Sequence, residues 1–197
     1  MVTRDLKAAR AAMTERELVV RAARIRMVVT DVDGVLTDGG VFVSERGEEL
    51  RRFSVRDGMG VELLRREGIE TAFVTREASP IVQRRAEKLK LRHCHIGVQD
   101  KRAILPSLLA DGGLQVGELG YIGDDVNDLD IMDAVAGAGL VAAPADAVEV
   151  VARGAHYRCA VGGGAGAFRD FADWILGLRA RVGRVHAVDM HISEGGR

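Results

Sequence analysis

Residues 25–34 read IRMVVTDVDG. The run over 25–30 is short and rich in β-branched residues, and it stops at an Asp and a Gly. That is the pattern of a buried strand covered on both faces. Working outward, 69–75 (IETAFVT), 91–97 (LRHCHIG), 118–125 (ELGYIGDD), 139–144 (GLVAAP) and 155–159 (AHYRC) read as further strands. Helices are expected between them: from Asp57 to a stop at Gly68, then 79–89, 101–109 despite Pro106, 127–136, 145–153 and 167–181. Ser79 is an N-cap candidate, with Pro80 in the first turn. This alternation predicts an α/β fold, a doubly wound and mostly parallel sheet with right-handed crossovers. It is interrupted once. The turn signals TDGG (37–40) and SERG (44–47) predict an inserted β-hairpin over 40–53.

Composition excludes several classes. The chain has 197 residues, 47% of them hydrophobic, and 28 Lys and Arg against 29 Asp and Glu give a net charge of −1. One domain with a single large core is the expected plan. Near-neutral charge and 4% aromatics argue against a nucleic-acid partner. No apolar run approaches the roughly 20 residues of a membrane span, and no secretory h-region is seen, so no membrane partner is expected. Two cysteines, Cys94 and Cys159, suit a reducing cytoplasm. The expected plan is a helical extension over 1–24, an α/β domain over 25–182 and a disordered tail over 183–197. Apolar spacing in the extension runs through Leu6, Ala9, Met13, Leu18, Val19 and Ala22.

In open α/β sheets, ligands sit beyond the carboxyl ends of the strands. The predicted strands bring Asp31 and Asp33, Thr75, and Asp124, Asp125 and Asp128 to that edge. Like charges about 4 Å apart cost about 4 kcal/mol per pair at an effective dielectric near 20. A hard divalent cation with oxygen ligands offsets this, and Mg²⁺ suits carboxylates combined with phosphate oxygens. Asp residues also serve as turn formers and helix caps. That reading fits Asp125 alone better than it fits a DxD after one strand joined to GDDVND after another. Thr75 offers a hydroxyl, and Lys101, a cation at an expected helix start, suits a phosphate.

Together, DVDGVLT (31–37), Thr75, Lys101 and GDDVND (123–128) resemble the four signature motifs of the haloacid dehalogenase superfamily of phosphotransferases. The resemblance runs over 26–178. TDGG, FSVRDGMG (53–60), RRAEKL (84–89) and GGGAGAFRDF (162–171) narrow it to the capless sugar-acid phosphatases. That group holds the 3-deoxy-manno-octulosonate 8-phosphate and 3-deoxy-nonulosonate (KDN) 9-phosphate phosphatases. The resemblance implies a Rossmann-like fold without a cap domain and a Mg²⁺-dependent phosphatase acting on a 3-deoxy sugar-acid phosphate. Asp31 is implied as the nucleophile forming an aspartyl-phosphate, and Asp33 as general acid and base. Two residues apart in extended backbone, they would face the same way. Mg²⁺ would be held by Asp31, the Asp33 carbonyl and Asp124, with Asp125 and Asp128 outside the ligand set, Asp128 orienting ligands or Lys101. Thr75 and Lys101 would hold phosphoryl oxygens. The substrate contacts implied are Arg56, Thr75, Arg76, Glu77, Lys88, Lys101 and Arg169. Relatives of this type assemble as homotetramers in which hairpin and C-terminal segment close a neighbour's site; Gly162 to Gly166 would let backbone approach a ligand.

The sequence departs from the pattern at Arg76, which stands where many relatives carry a Gly; Arg76 either points outward or adds a phosphate contact. Glu77, with Arg85 and Lys88, matches the nonulosonate type, whereas VRDG matches the octulosonate type. Two other functions compete. One is a regulatory phosphatase-like module partnering an acylneuraminate cytidylyltransferase; the intact Asp31 and Asp33 weigh against it. The other is a receiver-type phosphoacceptor domain, which the DxD spacing and the hairpin fit poorly. A phosphatase for another phosphorylated sugar in a specialised pathway fits the same motifs. His93-Cys94-His95 reads as strand and surface rather than a soft-metal site, and the chain lacks a P-loop.

Overall fold

A computed structural model describes residues 13–182. The order of elements is α1 (Glu15–Arg24), β1 (Met27–Thr30), β2 (Phe42–Ser44), β3 (Gly47–Leu50), α2 (Val55–Arg66), β4 (Glu70–Val74), α3 (Pro80–Lys88), β5 (His93–His95), α4 (Leu105–Gly112), β6 (Leu119–Ile122), α5 (Leu129–Ala136), β7 (Leu140–Ala143), α6 (Glu149–Gly154), β8 (Tyr157–Arg158) and α7 (Ala167–Arg179). Of the expected N-terminal helix, Leu6 and Ala9 lie outside the described residues, as does the tail over 183–197.

The main sheet has six parallel strands in the order β5-β4-β1-β6-β7-β8. Strand β1 is central, and all four of its residues are buried. Side chains alternate across the sheet. Val28, Phe73 and Ile122 join the core under α1, α2, α3 and α7, whereas Met27, Val29, Val74 and Tyr121 join the core under α4, α5 and α6. The chain leaves β1 toward β4 and leaves β6 toward β7, so winding reverses between the adjacent β1 and β6. The crevice beyond their carboxyl ends is where such sheets bind ligands. Strands β2 and β3 form a separate two-stranded antiparallel sheet, and among the described residues no other unit stands where a cap domain would.

Several expected boundaries move, each for a local reason. Pro106 sits in the first turn of α4, where its missing N–H costs nothing, so the helix starts at Leu105 and Lys101 lies in the turn before it. Asp100 closes that turn by accepting from the Arg102 and Ala103 amides at 3.0 and 3.2 Å. The expected helix over 127–136 begins as a 3₁₀ turn, Val126–Asp128, capped by Asp125. Strand β6 stops at Ile122, before the carboxylates, and α6 starts at Glu149 rather than at 145.

The packing of α2 on α7 carries a buried charge. Asp57, on the first turn of α2, is 2% exposed. Its Oδ1 accepts the Arg169 amide at 3.0 Å, so it caps the start of α7 from a neighbouring helix. Its Oδ2 has no hydrogen-bond partner among the described residues. Burial therefore pushes the carboxyl from its ordinary 3.8 up to about 6, against the amide bond to Arg169 and the charge of Arg85. The folded state then holds a proton that the unfolded chain has released, and stability falls as pH rises from about 4 to about 6 by on the order of 3 kcal/mol for this group. Asp57→Asn keeps the acceptor and removes the ionisation. Urea unfolding of both proteins across that window is expected to show the variant gaining on the wild type as pH rises, whereas a constant difference would contradict this.

Candidate active site

Strands β1, β4 and β6, which border the crevice, each end beside residues that the sequence singles out. The register pairs Thr30 with Phe73 on one side and Ile122 on the other. The next positions, Asp31, Val74–Thr75 and Gly123–Asp124, therefore emerge together. They line an open cleft of about 420 Å³, with Asp33, Gly34, Arg76, Glu77, Asp125 and Asp146 also in its wall. Asp31 and Asp33 share it, but not through extended backbone. The chain turns immediately after Asp31, with the Val35, Leu36 and Thr37 amides directed at the Val32 carbonyl, and this turn brings Asp33 back to the cleft.

Lys101 and Asp128 are bonded behind Asp31. Both are 2% exposed or less. The Lys101 Nζ lies 2.7 Å from Asp31 Oδ2 and 2.7 Å from Asp128 Oδ1. Asp128 is saturated with donors: Tyr121 OH also reaches Oδ1, and the Asp124 and Asp125 amides reach Oδ2 at 3.1 and 3.4 Å. Asp31 Oδ1 accepts its neighbour's Val32 amide at 2.7 Å. Asp124 Oδ1, by contrast, is buried without a hydrogen-bond partner among the described residues.

One oxygen each of Asp31, Asp124 and Asp128 lie within 4.8 Å of one another. Lys101 is the cation bonded to this group, so three carboxylates face one ammonium. Burial, then repulsion from Asp128, pushes the Asp124 carboxyl up to about 7. The same two causes hold the Asp31 carboxyl well above the usual range, against the pull of Lys101. Burial works against the Lys101 charge, but Asp31 and Asp128 outweigh it and keep the ammonium above its ordinary value. An orphan buried carboxylate oxygen beside two more carboxylates is a hard-cation donor set. The loop after β1 is built around it: Gly34 has φ of +82°, and a Cβ there would stand 1.9 Å from Asp124 Oδ2.

The other sequence candidates divide. Arg76 and Glu77 are exposed at the cleft, the former with its Nε 3.0 Å from Gln99 Oε1. Arg56, Lys88 and Arg169 do not line it. Arg56 lies against Gly166, Lys88 is exposed at the end of α3, and the Arg169 guanidinium donates to Asp173 one turn along its own helix at 2.8 Å. The glycine run takes a role that the sequence did not suggest. Its close approach is to the chain's own loop after β1: a Cβ on Gly163 would meet the Gly34 carbonyl at 2.1 Å, and the Gly164 amide donates to the Val35 carbonyl at 3.0 Å. Asp146 holds the run in place by accepting the Gly163 amide at 3.0 Å. Asp146 and Arg51, which reaches Asp33 from the hairpin, were not evident in the sequence, where no spacing sets them apart from surface charges. His93 and His95 lie on β5, away from the cleft, and His93 Nε2 sits 3.1 Å from Glu70 Oε2.

No protein-family model matches the chain. It is 39% identical over 160 residues to the 3-deoxy-D-manno-octulosonate 8-phosphate phosphatase of Yersinia pestis, spanning 81% of this chain and 84% of that one. The crystal structure of the Yersinia pestis enzyme superposes with a TM-score of 0.78 at 37% identity, covering 84% and 88% of the two chains. The Moraxella catarrhalis phosphatase of the same name, solved with magnesium, phosphate and 3-deoxy-D-manno-octulosonate, gives a TM-score of 0.77 at 32% identity over 88% and 98%. Likeness at this level, over a sheet whose strand tips carry the four motifs, means that the chain belongs to the 3-deoxy-D-manno-octulosonate 8-phosphate phosphatase family of the haloacid dehalogenase superfamily.

Proposed function

We propose that this protein is a Mg²⁺-dependent phosphatase that hydrolyses 3-deoxy-D-manno-octulosonate 8-phosphate through an aspartyl-phosphate on Asp31. The observation that carries the reading is the orphan Asp124 oxygen beside Asp31 in the cleft wall, with Lys101 bonded to Asp31. The named substrate follows from relatives to which the chain is similar in sequence and fold.

Asp31 and Asp124, with the Asp33 backbone carbonyl, would hold Mg²⁺, which when bound neutralises charge between the Asp31 carboxylate and the incoming phosphate. Asp31 uses one carboxylate oxygen to attack phosphorus as the P–O bond to the sugar breaks. Protonated Asp33 gives its proton to the departing sugar oxygen. As a carboxylate, it then takes a proton from the water that attacks the aspartyl-phosphate, and inorganic phosphate and the original Asp31 are restored. Lys101 and Thr75 hold phosphoryl oxygens, and Asp128 keeps Lys101 in place through its 2.7 Å bond.

Glu77 in the cleft wall favours the KDN 9-phosphate as second substrate. In this reading Arg76 is a further phosphate or sugar contact, and Arg56, Lys88 and Arg169 reach substrate only within an assembly. The setting is cytoplasmic, and among the described residues no helix is long and apolar enough to cross a membrane. The hairpin supports assembly as a homotetramer. Phe42 and Val43 are adjacent in β2, yet they are 67% and 71% exposed, with Leu50 at 63% and Val55 at 83%. A lone two-stranded hairpin is marginal in water, and exposed large apolar side chains such as the paired Phe42 and Leu50 suit an interface. Light scattering is expected to give a tetramer for the wild type and smaller species for a Phe42→Asp/Val43→Asp variant; a monomeric wild type with full activity would contradict the assembly.

Hydrolysis is tested directly by phosphate release from p-nitrophenyl phosphate and both sugar-acid phosphates, with and without Mg²⁺. Activity should require the metal, be greatest on the octulosonate, and vanish in Asp31→Asn. Preference for KDN 9-phosphate would reassign the substrate, and no hydrolysis of any of them would leave a binding module. The metal step has its own signature. Below about pH 7 Asp124 carries a proton that Mg²⁺ must displace. Calorimetric titration should show affinity falling up to about tenfold per unit as pH drops below about 7, with proton release growing in step. Affinity that does not change with pH would contradict it.

A further inference from the structure

Arg51 joins the hairpin to the general acid. It follows β3, and its side chain is 1% exposed, so the guanidinium must be paired. Glu48, on β3 itself, takes two of its arms in a fork: Nε to Oε1 at 2.9 Å and Nη2 to Oε2 at 2.8 Å. Ser79, the residue before α3, fixes Glu48 in turn, donating its hydroxyl to Oε1 at 2.6 Å. Two of the three nitrogens are thereby committed, and the fork is planar and rigid. The third, Nη1, is aimed at Asp33 Oδ1. The other Asp33 oxygen accepts the Thr75 hydroxyl at 3.2 Å.

We infer that Arg51 is a positioning residue for proton transfer: it holds the Asp33 carboxyl in the orientation from which the leaving sugar oxygen is protonated, and Glu48 and Ser79 hold Arg51. The inference rests on the phosphatase reading and deepens it. The geometry supports it over a general structural role. Asp33 sits in a turn rather than a strand, with its side chain 27% exposed, so backbone alone does not orient it. If Arg51 is lost, Thr75 is the only described side chain still bonded to the Asp33 carboxylate, and Thr75 is required by the phosphoryl group. Arg52, next in sequence, is 62% exposed and pairs with Asp38 at 2.9 Å; it serves as the internal control.

The test uses leaving-group dependence. Departure of a sugar alkoxide needs a proton, whereas p-nitrophenolate leaves without one. The ratio kcat/KM covers steps only through that departure, so later hydrolysis of the aspartyl-phosphate does not enter it. General acid catalysis contributes on the order of 10²-fold or more, so Arg51→Met should lower kcat/KM on the preferred sugar-acid phosphate by about 10²-fold and on p-nitrophenyl phosphate by less than about threefold. The loss should lie in kcat rather than KM. Arg51→Lys should restore part of it, Glu48→Gln should show the same selective pattern more weakly, and Arg52→Met should leave both substrates unchanged. Glu48→Gln retains Arg51, so it carries the test if Arg51→Met fails to fold. Equal losses on both substrates, or no loss on either, would overturn the role of Arg51 while leaving the phosphatase reading intact. A wild type inactive on both would overturn that reading, and this inference with it.

Discussion

Three carboxylates, Asp31 and Asp128 buried and Asp124 half-buried, crowd round one lysine at the carboxyl edge of the sheet, and the surrounding architecture follows from that crowding. Asp31, Asp124 and Asp128 cannot all be ionised cheaply beside Lys101 alone, and the pressure appears as raised affinity for protons at Asp31 and Asp124. Asp128 is relieved by Lys101, Tyr121 and two amides. Asp124 keeps an oxygen with no partner among the described residues. The fold thus leaves unsatisfied a carboxylate oxygen that a dication would satisfy, at the crevice where winding reverses.

The rest of the molecule acts to hold the loop that carries Asp31, Asp33 and Gly34. From behind, the glycine run lies against its backbone at a distance only glycine permits. Asp146 pins that run at Gly163, and Asp57 caps the helix that follows it. From above, the hairpin sends Arg51 to Asp33. Segments far apart in the chain therefore converge on a few residues after β1. Among the described residues no second domain covers the cleft, and these supports come from the hairpin and from the segment leading into α7.

What could be read from the sequence divides along physical lines. The order and type of the main strands followed from β-branched runs, and the motifs at their tips followed from parallel topology. The structure describes Asp31, Thr75 and Asp124 in one cleft because strand ends are fixed by register, and the turns that follow bring Asp33 and Asp125 to it. Boundaries were harder. Pro106 was read as a tolerated breaker when it is a favoured first-turn residue, and that moved Lys101 from a helix start into a turn. Tertiary pairing was not legible. Nothing local separates Arg51, with its side chain 1% exposed, from Arg52 at 62%, or marks Asp57 as the cap of a helix about a hundred residues away. The glycine run announced a close approach without saying to what, and the answer was the protein's own backbone.

The claim beneath all of this is that the carboxylate cluster exists to hold one divalent cation. The most direct measurement is an anomalous difference map from crystals grown with Mn²⁺ in place of Mg²⁺. The account predicts a single strong peak between the Asp31 and Asp124 carboxylates, with Asp128 still bonded to Lys101. A map without density there, or with the ion bound elsewhere on the chain, would contradict it.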